Sequence, residues 1–159
     1  MELENLKKNY EKIAKNHKLP SFSELNADFE IEKLERESDN LLRSVRKIMM
    51  EKIVNSMGFL DMLINPVNAP RMYLPYIQTM TNGDRKDIDS VYSSLGDLII
   101  HSLDLEVDST NENEAKLIKE IFAKWGELKE KFRQILSSIK KPRNFVKKDR
   151  SGVVSSGSC

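Results

Sequence analysis

The chain has 159 residues, 32% of them charged and 39% apolar. That is the composition of one soluble folded domain with room for a tail, and it excludes both wholesale disorder and a membrane bundle. A single cysteine, Cys159, excludes an internal disulfide framework and a cysteine-based zinc site, and two histidines, His17 and His101, leave little material for a histidine-rich one.

The N-terminal Met1-Glu-Leu-Glu-Asn-Leu6 is acidic and helix-periodic, which is not the pattern of a secretory leader. Leu3, Leu6, Tyr10 and Ile13, at steps of 3, 4 and 3, predict a helix over about 2–16. Leu19-Pro20 stops it, because a proline ring disfavours a helical residue before it. Ser21-Phe-Ser-Glu24 then reads as a capping box that opens a short helix over Leu25 and Ala27.

A long helix is expected next, from about Phe29 to Ile64. Its stripe, Ile31, Leu34, Ser38, Leu42, Val45, Met49, Ile53, Ser56, Leu60 and Leu63, covers 32 residues in nine steps, close to the helical repeat. The most apolar run in it, Phe59-Leu-Asp-Met-Leu-Ile64, is far shorter than the ~20 residues a spanning helix needs. No membrane association is therefore expected, and the expected location is cytoplasmic.

Asn65-Pro66 ends this helix. Residues 65–83 hold three of the five prolines (66, 70 and 75), Tyr73 and Tyr76, and Met72 and Met80. Arg71–Met80 reads as a short, proline-interrupted helix and Thr81-Asn-Gly83 as a turn with a left-handed glycine. Asp84 is the expected N-cap of a helix whose stripe is Ile88, Val91/Tyr92, Leu95, Leu98/Ile99, Ser102 and Leu105. The polar run Asp108–Glu112 offers caps for a last long helix, about 112–140, with Ala115, Ile118, Phe122, Trp125, Leu128, Phe132, Ile135 and Ile139 at helical spacing. Glu112/Lys116, Glu120/Lys124 and Glu127/Lys131 support that helix from its outer face. Single glycines inside helices, Gly58, Gly96 and Gly126, each cost about 1 kcal/mol relative to alanine and point to close helix crossings.

The expected fold is thus an all-α bundle of five or six helices, with two long antiparallel spine helices, occupying 1–140. A flexible basic, Ser/Gly-rich tail follows over 141–159. From Lys140 onward, Lys140, Lys141, Arg143, Lys147, Lys148 and Arg150 against Asp149 give +5. The remainder of a +1 chain therefore carries −4. Such a segment can meet phosphates or an acidic partner, although a solubilising role is the plainer reading.

Four features of the sequence bear on function. The proline-framed segment with Met72, Tyr73 and Tyr76 suits protein docking, since methionine adapts to varied surfaces and tyrosine anchors interfaces; it suits equally a cap over the end of the bundle. Arg36, Arg43, Arg46 and Lys47 could form a basic stripe, but Glu32, Glu35, Glu37, Asp39 and Glu51 are interleaved, so a mixed-charge solvated face is expected. Asp97, His101, Asp104 and Asp108 share a helix face at steps of 4, 3 and 4, yet without a second histidine or a Glu-x-x-His pair no metal site is expected. Nucleophile, P-loop and dinucleotide motifs are lacking, so neither catalysis nor a cofactor is expected. The leading expectation is a non-catalytic interaction module, an adaptor or accessory subunit of a cytosolic assembly with a protein partner. The alternative is a nucleic-acid-associated protein that binds phosphates through its basic tail. A homo-oligomer is compatible with either, since long amphipathic helices can pair between chains.

Overall fold

A computed structural model of the chain describes residues 2–34 and 39–140. The fold is an all-α bundle, and among the described residues there is no strand. The described residues form six helices, α1 (Glu2–His17), α2 (Phe22–Phe29), α3 (Leu41–Ile64), α4 (Leu74–Gln78), α5 (Asn82–Val107) and α6 (Asn111–Ile139). Single 3₁₀ turns occur at Ile31–Lys33, Pro66–Asn68 and Arg71–Tyr73. The expected tail, 141–159, lies outside the described residues.

The local signals account for most of these boundaries. Helix α1 ends because Lys18 turns left-handed at φ 53°. The Leu19 N–H then reaches back to the Ala14 carbonyl at 3.0 Å, the closure of a helix C-terminus before proline. Ser21 opens α2 with a reciprocal capping box: its hydroxyl accepts from the Glu24 N–H at 3.2 Å, and the Glu24 carboxylate accepts from the Ser21 N–H at 2.8 Å. The bond from the Ser21 N–H, with help from the Ser21 side chain, favours the ionised carboxylate, so Glu24 sits below the usual carboxylate range.

The long helix expected from Phe29 begins only at Leu41. Glu30 adopts φ 53°, ψ 44°, which ends α2. The Asn26 side chain then takes over, accepting from the Glu32 N–H at 2.9 Å and donating to the Glu32 carboxylate at 3.1 Å. Ile31 is fully buried all the same, but from a 3₁₀ turn. An apolar residue in helical register with the next helix need not belong to it.

At α5 the cap is Thr81, not Asp84. The Thr81 hydroxyl accepts from the Asp84 N–H at 3.1 Å while the Asp84 carboxylate accepts from the Thr81 N–H at 2.9 Å, so Asp84 is the third residue of a second capping box. Gly83 consequently lies inside the first helical turn, and no described glycine has positive φ. The left-handed glycine expected at Gly83 does not form, because the helix already starts at the Thr81 cap. Thr110 caps α6, accepting from the Asn113 N–H at 3.2 Å.

Two compact units divide the chain, Met1–Met57 with Ser94–Glu127 and Gly58–Ser93 with Leu128–Cys159. In the first, Leu6, Tyr10 and Ala14 of α1, Phe22, Leu25 and Phe29 of α2, and Leu42, Val45, Met49 and Ile53 of α3 are buried. Leu95, Leu98 and Leu105 of α5 and Ala115, Ile118, Ile121 and Trp125 of α6 are buried with them. Tyr10 meets the Phe22 ring edge-on at 5.9 Å and donates its hydroxyl to the Pro20 carbonyl at 2.7 Å, so the α1–α2 corner is both packed and satisfied. Lys52 lies over the rings of Phe29 and Trp125 and donates to the Asp28 carbonyl. In the second unit Leu60, Leu63, Ile77, Ile88, Val91, Leu128 and Ile135 are buried, and the Ser138 hydroxyl donates to Asp84 at 2.7 Å.

The glycines do not mark helix crossings. A Cβ built on Gly58 or Gly126 would meet nothing within 4 Å, and one on Gly96 would meet only the Met57 methyl at 3.6 Å, an ordinary contact. Gly58 and Gly126 are tolerated on open helix faces, and Gly96, half-buried, faces Met57 with room for a methyl group.

Candidate interaction site

The segment 65–80 is built from short turns rather than from one helix. Pro66 fixes φ at the first residue of one 3₁₀ turn and Pro70 just ahead of another, the turns closed by Ala69 N–H to the Pro66 carbonyl at 3.2 Å and by Tyr73 N–H to the Pro70 carbonyl at 2.9 Å. Pro75 stands in the first turn of α4, where its missing N–H costs nothing. The Thr79 hydroxyl donates back to the carbonyls of Pro75 and Tyr76 and closes the helix. A backbone held this way presents its side chains at little further cost in entropy.

Which side chains it presents divides the expected anchors. Tyr73 is half-buried and packs edge-on against Phe59 at 6.2 Å, and Phe59 lies 5.9 Å from Phe132. Ile77 is buried and Tyr76 half-buried. Tyr73 and Ile77 therefore hold the segment in place. Met72, in contrast, is 69% exposed, and Val67, which the sequence reading passed over, is 94% exposed. Two large apolar side chains standing in water on a stiff support are the features of this segment that folding alone leaves unexplained.

Lys140 is exposed at the end of α6. Lys141, Arg143, Lys147, Lys148 and Arg150 lie outside the described residues.

The mixed-charge face expected to be solvated around Arg36, Arg43, Arg46 and Lys47 is partly buried. Arg36 lies outside the described residues, Lys47 is exposed, and Arg46 is 1% exposed. The Arg46 guanidinium donates from Nε and Nη2 to both oxygens of Glu114 at 2.6 and 3.0 Å, from Nη1 to the Ser102 hydroxyl at 2.8 Å, and from Nη2 to Glu106 at 2.9 Å. Arg43 reaches the other Glu106 oxygen at 2.6 Å, and the Ser109 hydroxyl donates to Glu114 at 2.9 Å. Burial works against the Arg46 charge, but the hydrogen bonds it donates to Glu114 and Glu106 outweigh it and raise its pKa. The hydrogen bonds from Arg43 and Arg46 lower Glu106 from its ordinary 4.5 to about 2. Interleaved signs had hidden this network, since charge pattern alone does not show which cation turns inward. The one available cue was Ser102, a small polar residue in the α5 core stripe.

The acidic face of α5 also resolves into separate parts. His101 bonds Glu120 of α6 at 2.9 Å. Asp97, Asp104 and Asp108 are exposed, and among the described residues no group of three or more His, Cys, Asp or Glu side chains converges as a metal would require. No described helix is long and apolar enough to cross a membrane. Compared with models of known families, with curated proteins and with solved structures, the chain finds no match.

Proposed function

We propose that the protein is a non-catalytic interaction module of a cytosolic assembly, and that a protein partner docks on the 65–80 segment. The observation that carries this reading is the exposure of Val67 and Met72 on a proline-stiffened support. Apolar groups held rigidly in water contribute to association with little ordering cost. Tyr76 contributes from the adjacent turn, and Tyr73 positions Met72 through its packing on Phe59.

The test places a photo-cross-linking residue at position 72 in the full chain, expressed in its native cell. A cross-linked partner should be recovered from the wild-type background and lost with Val67→Asp, which alters an exposed side chain and leaves the core intact. Recovery of the same partner set from both backgrounds would sink the proposal. The charge partition of the sequence favours a second reading, nucleic-acid association through Lys140–Arg150. It requires a band shift with RNA or DNA at about 50 mM salt that disappears when 141–159 are removed.

A further inference from the structure

Helix α5 carries two apolar stripes. One, Leu95, Leu98, Ser102 and Leu105, is buried. The other, Ile100, Leu103 and Val107, points away from the core, with exposures of 59%, 57% and 89%. Its spacing of three then four is the first-and-fourth pattern of a heptad, the seam by which one helix receives another. Beside it, within the same compact unit, runs a groove of about 480 Å³ between α5 and α3. Met50 and Ser102 form its nearly buried floor, while Val54, Ile99 and Leu103 line its sides. The floor is held from below, because Arg46 of α3 bonds Ser102 and Glu106 of α5.

The charges along the seam say what could cover it. With Ile100 and Val107 at the first heptad position and Leu103 at the fourth, the flanking positions are Asp97 and Asp104 on one side and Ile99 and Glu106 on the other. Glu106 is met by Arg43 and Arg46. Asp97 and Asp104, and Asp108 beyond them, are exposed and have no ion-pair partner among the described residues. None of the four flanking positions is basic, so the same seam of a second copy would bring no cation to it. On the α3 side Lys47 and Glu51, both exposed, offset each other.

We infer that this groove and seam are a second docking surface, which takes an amphipathic helix of a partner whose apolar residues recur at i, i+3 and i+7 and are flanked by Lys or Arg. The apolar seam supplies attachment, and Asp97 and Asp104 select the charge of the flank. The surface is independent of Val67 and Met72.

A pair of designed helical peptides of about 14 residues, four turns each, tests this on the full-length protein. Both have leucine at the seam; one has lysine and the other glutamate at the flanks. Fluorescence anisotropy should show saturable binding of the lysine-flanked peptide and at least tenfold weaker binding of the glutamate-flanked one. Leu103→Asp should weaken the first at least tenfold, and Asp97→Lys/Asp104→Lys should invert the preference; circular dichroism checks that both variants keep the wild-type helix content. No binding of either peptide, equal binding of both, or indifference to Leu103→Asp would overturn the inference. So would a dimer in analytical ultracentrifugation that Leu103→Asp dissociates, since the seam would then belong to a second copy.

Discussion

Replacing Arg46 by methionine removes a charge that is 1% exposed and leaves Glu114, fully buried, with the Ser109 hydroxyl as its remaining side-chain donor. The wild-type carboxylate accepts two charge-assisted bonds from Arg46, at 2.6 and 3.0 Å. Stranding a buried charge in this way costs about 3–5 kcal/mol, most of it the desolvation of the survivor rather than the worth of the pair. For a chain of this size each kcal/mol lowers Tm by about 2–4 °C, so Arg46→Met should lower it by roughly 6–20 °C. Arg46→Met/Glu114→Met removes both charges together and replaces them with side chains that fill the space. It should recover most of the loss, to within about 2 kcal/mol of wild type, the residue being Ser102 and Ser109 without their acceptor or donor. Trp125 is the only tryptophan and lies in the same compact unit as the network. Urea unfolding followed by its fluorescence at pH 7 therefore reads the relevant unit. A loss below about 1 kcal/mol in the single variant, or a double variant as unstable as the sum of the two singles, would refute the stranded-charge account.

Acidification should reveal Glu106. Its folded pKa of about 2 lies below its ordinary 4.5, so the unfolded chain takes up the proton first. The contribution is complete above pH 4.5 and is lost as pH falls towards 2; since the side chain is 37% exposed, screening leaves it worth about 1 kcal/mol. A Glu106→Gln protein should show a flatter stability profile over that window in urea titrations. Gly126→Ala should raise stability by about 1 kcal/mol, because the new methyl meets nothing and the helix gains the better former; a lower melting temperature would restore the helix-crossing idea. Ser21→Ala removes one half of the capping box at α2 and should cost about 1 kcal/mol, with a comparable loss for Thr81→Ala at α5, both measurable by thermal melts.

The parts of the fold that were legible are those decided locally. Ser21 and Glu24 specify their capping box within four residues, and the stripes of α5 and α6 repeat often enough to identify both helices and most of their buried residues. What the chain does at Glu30 depends instead on a side-chain clamp, Asn26 to Glu32, that competes with helix continuation, and periodicity carries no sign of it. Thr81 against Asp84 shows a narrower failure: both residues are capable caps, and a reciprocal pair looks the same from either end. At the candidate site, prolines and tyrosines mark a segment whose backbone is held by short turns and which carries the exposed Val67 and Met72. The partial burial of Tyr73 is a tertiary outcome, set by the approach of Phe59 to the tyrosine ring.

Arg46 shows most clearly why burial of charge cannot be read from pattern. Its neighbours in sequence are the apolar Val45 and the exposed Lys47, and the helix stripe places Val45 and Met49 in the core without saying which side Arg46 turns to. The deciding residues, Ser102, Glu106 and Glu114, lie more than 50 positions away. Apolar side chains could fill the same space with equal or greater stability, but apolar contact has no direction. Four bonds from one planar guanidinium do: they tie one point of α3 to α5 and to the first turn of α6. The groove side chains Met50 and Val54 lie one and two turns further along α3, and Ser102 is both an Arg46 partner and part of the groove floor. A shift of α3 along α5 would break these bonds before it exposed much more apolar surface. The network thus fixes the register on which the shape of the groove depends.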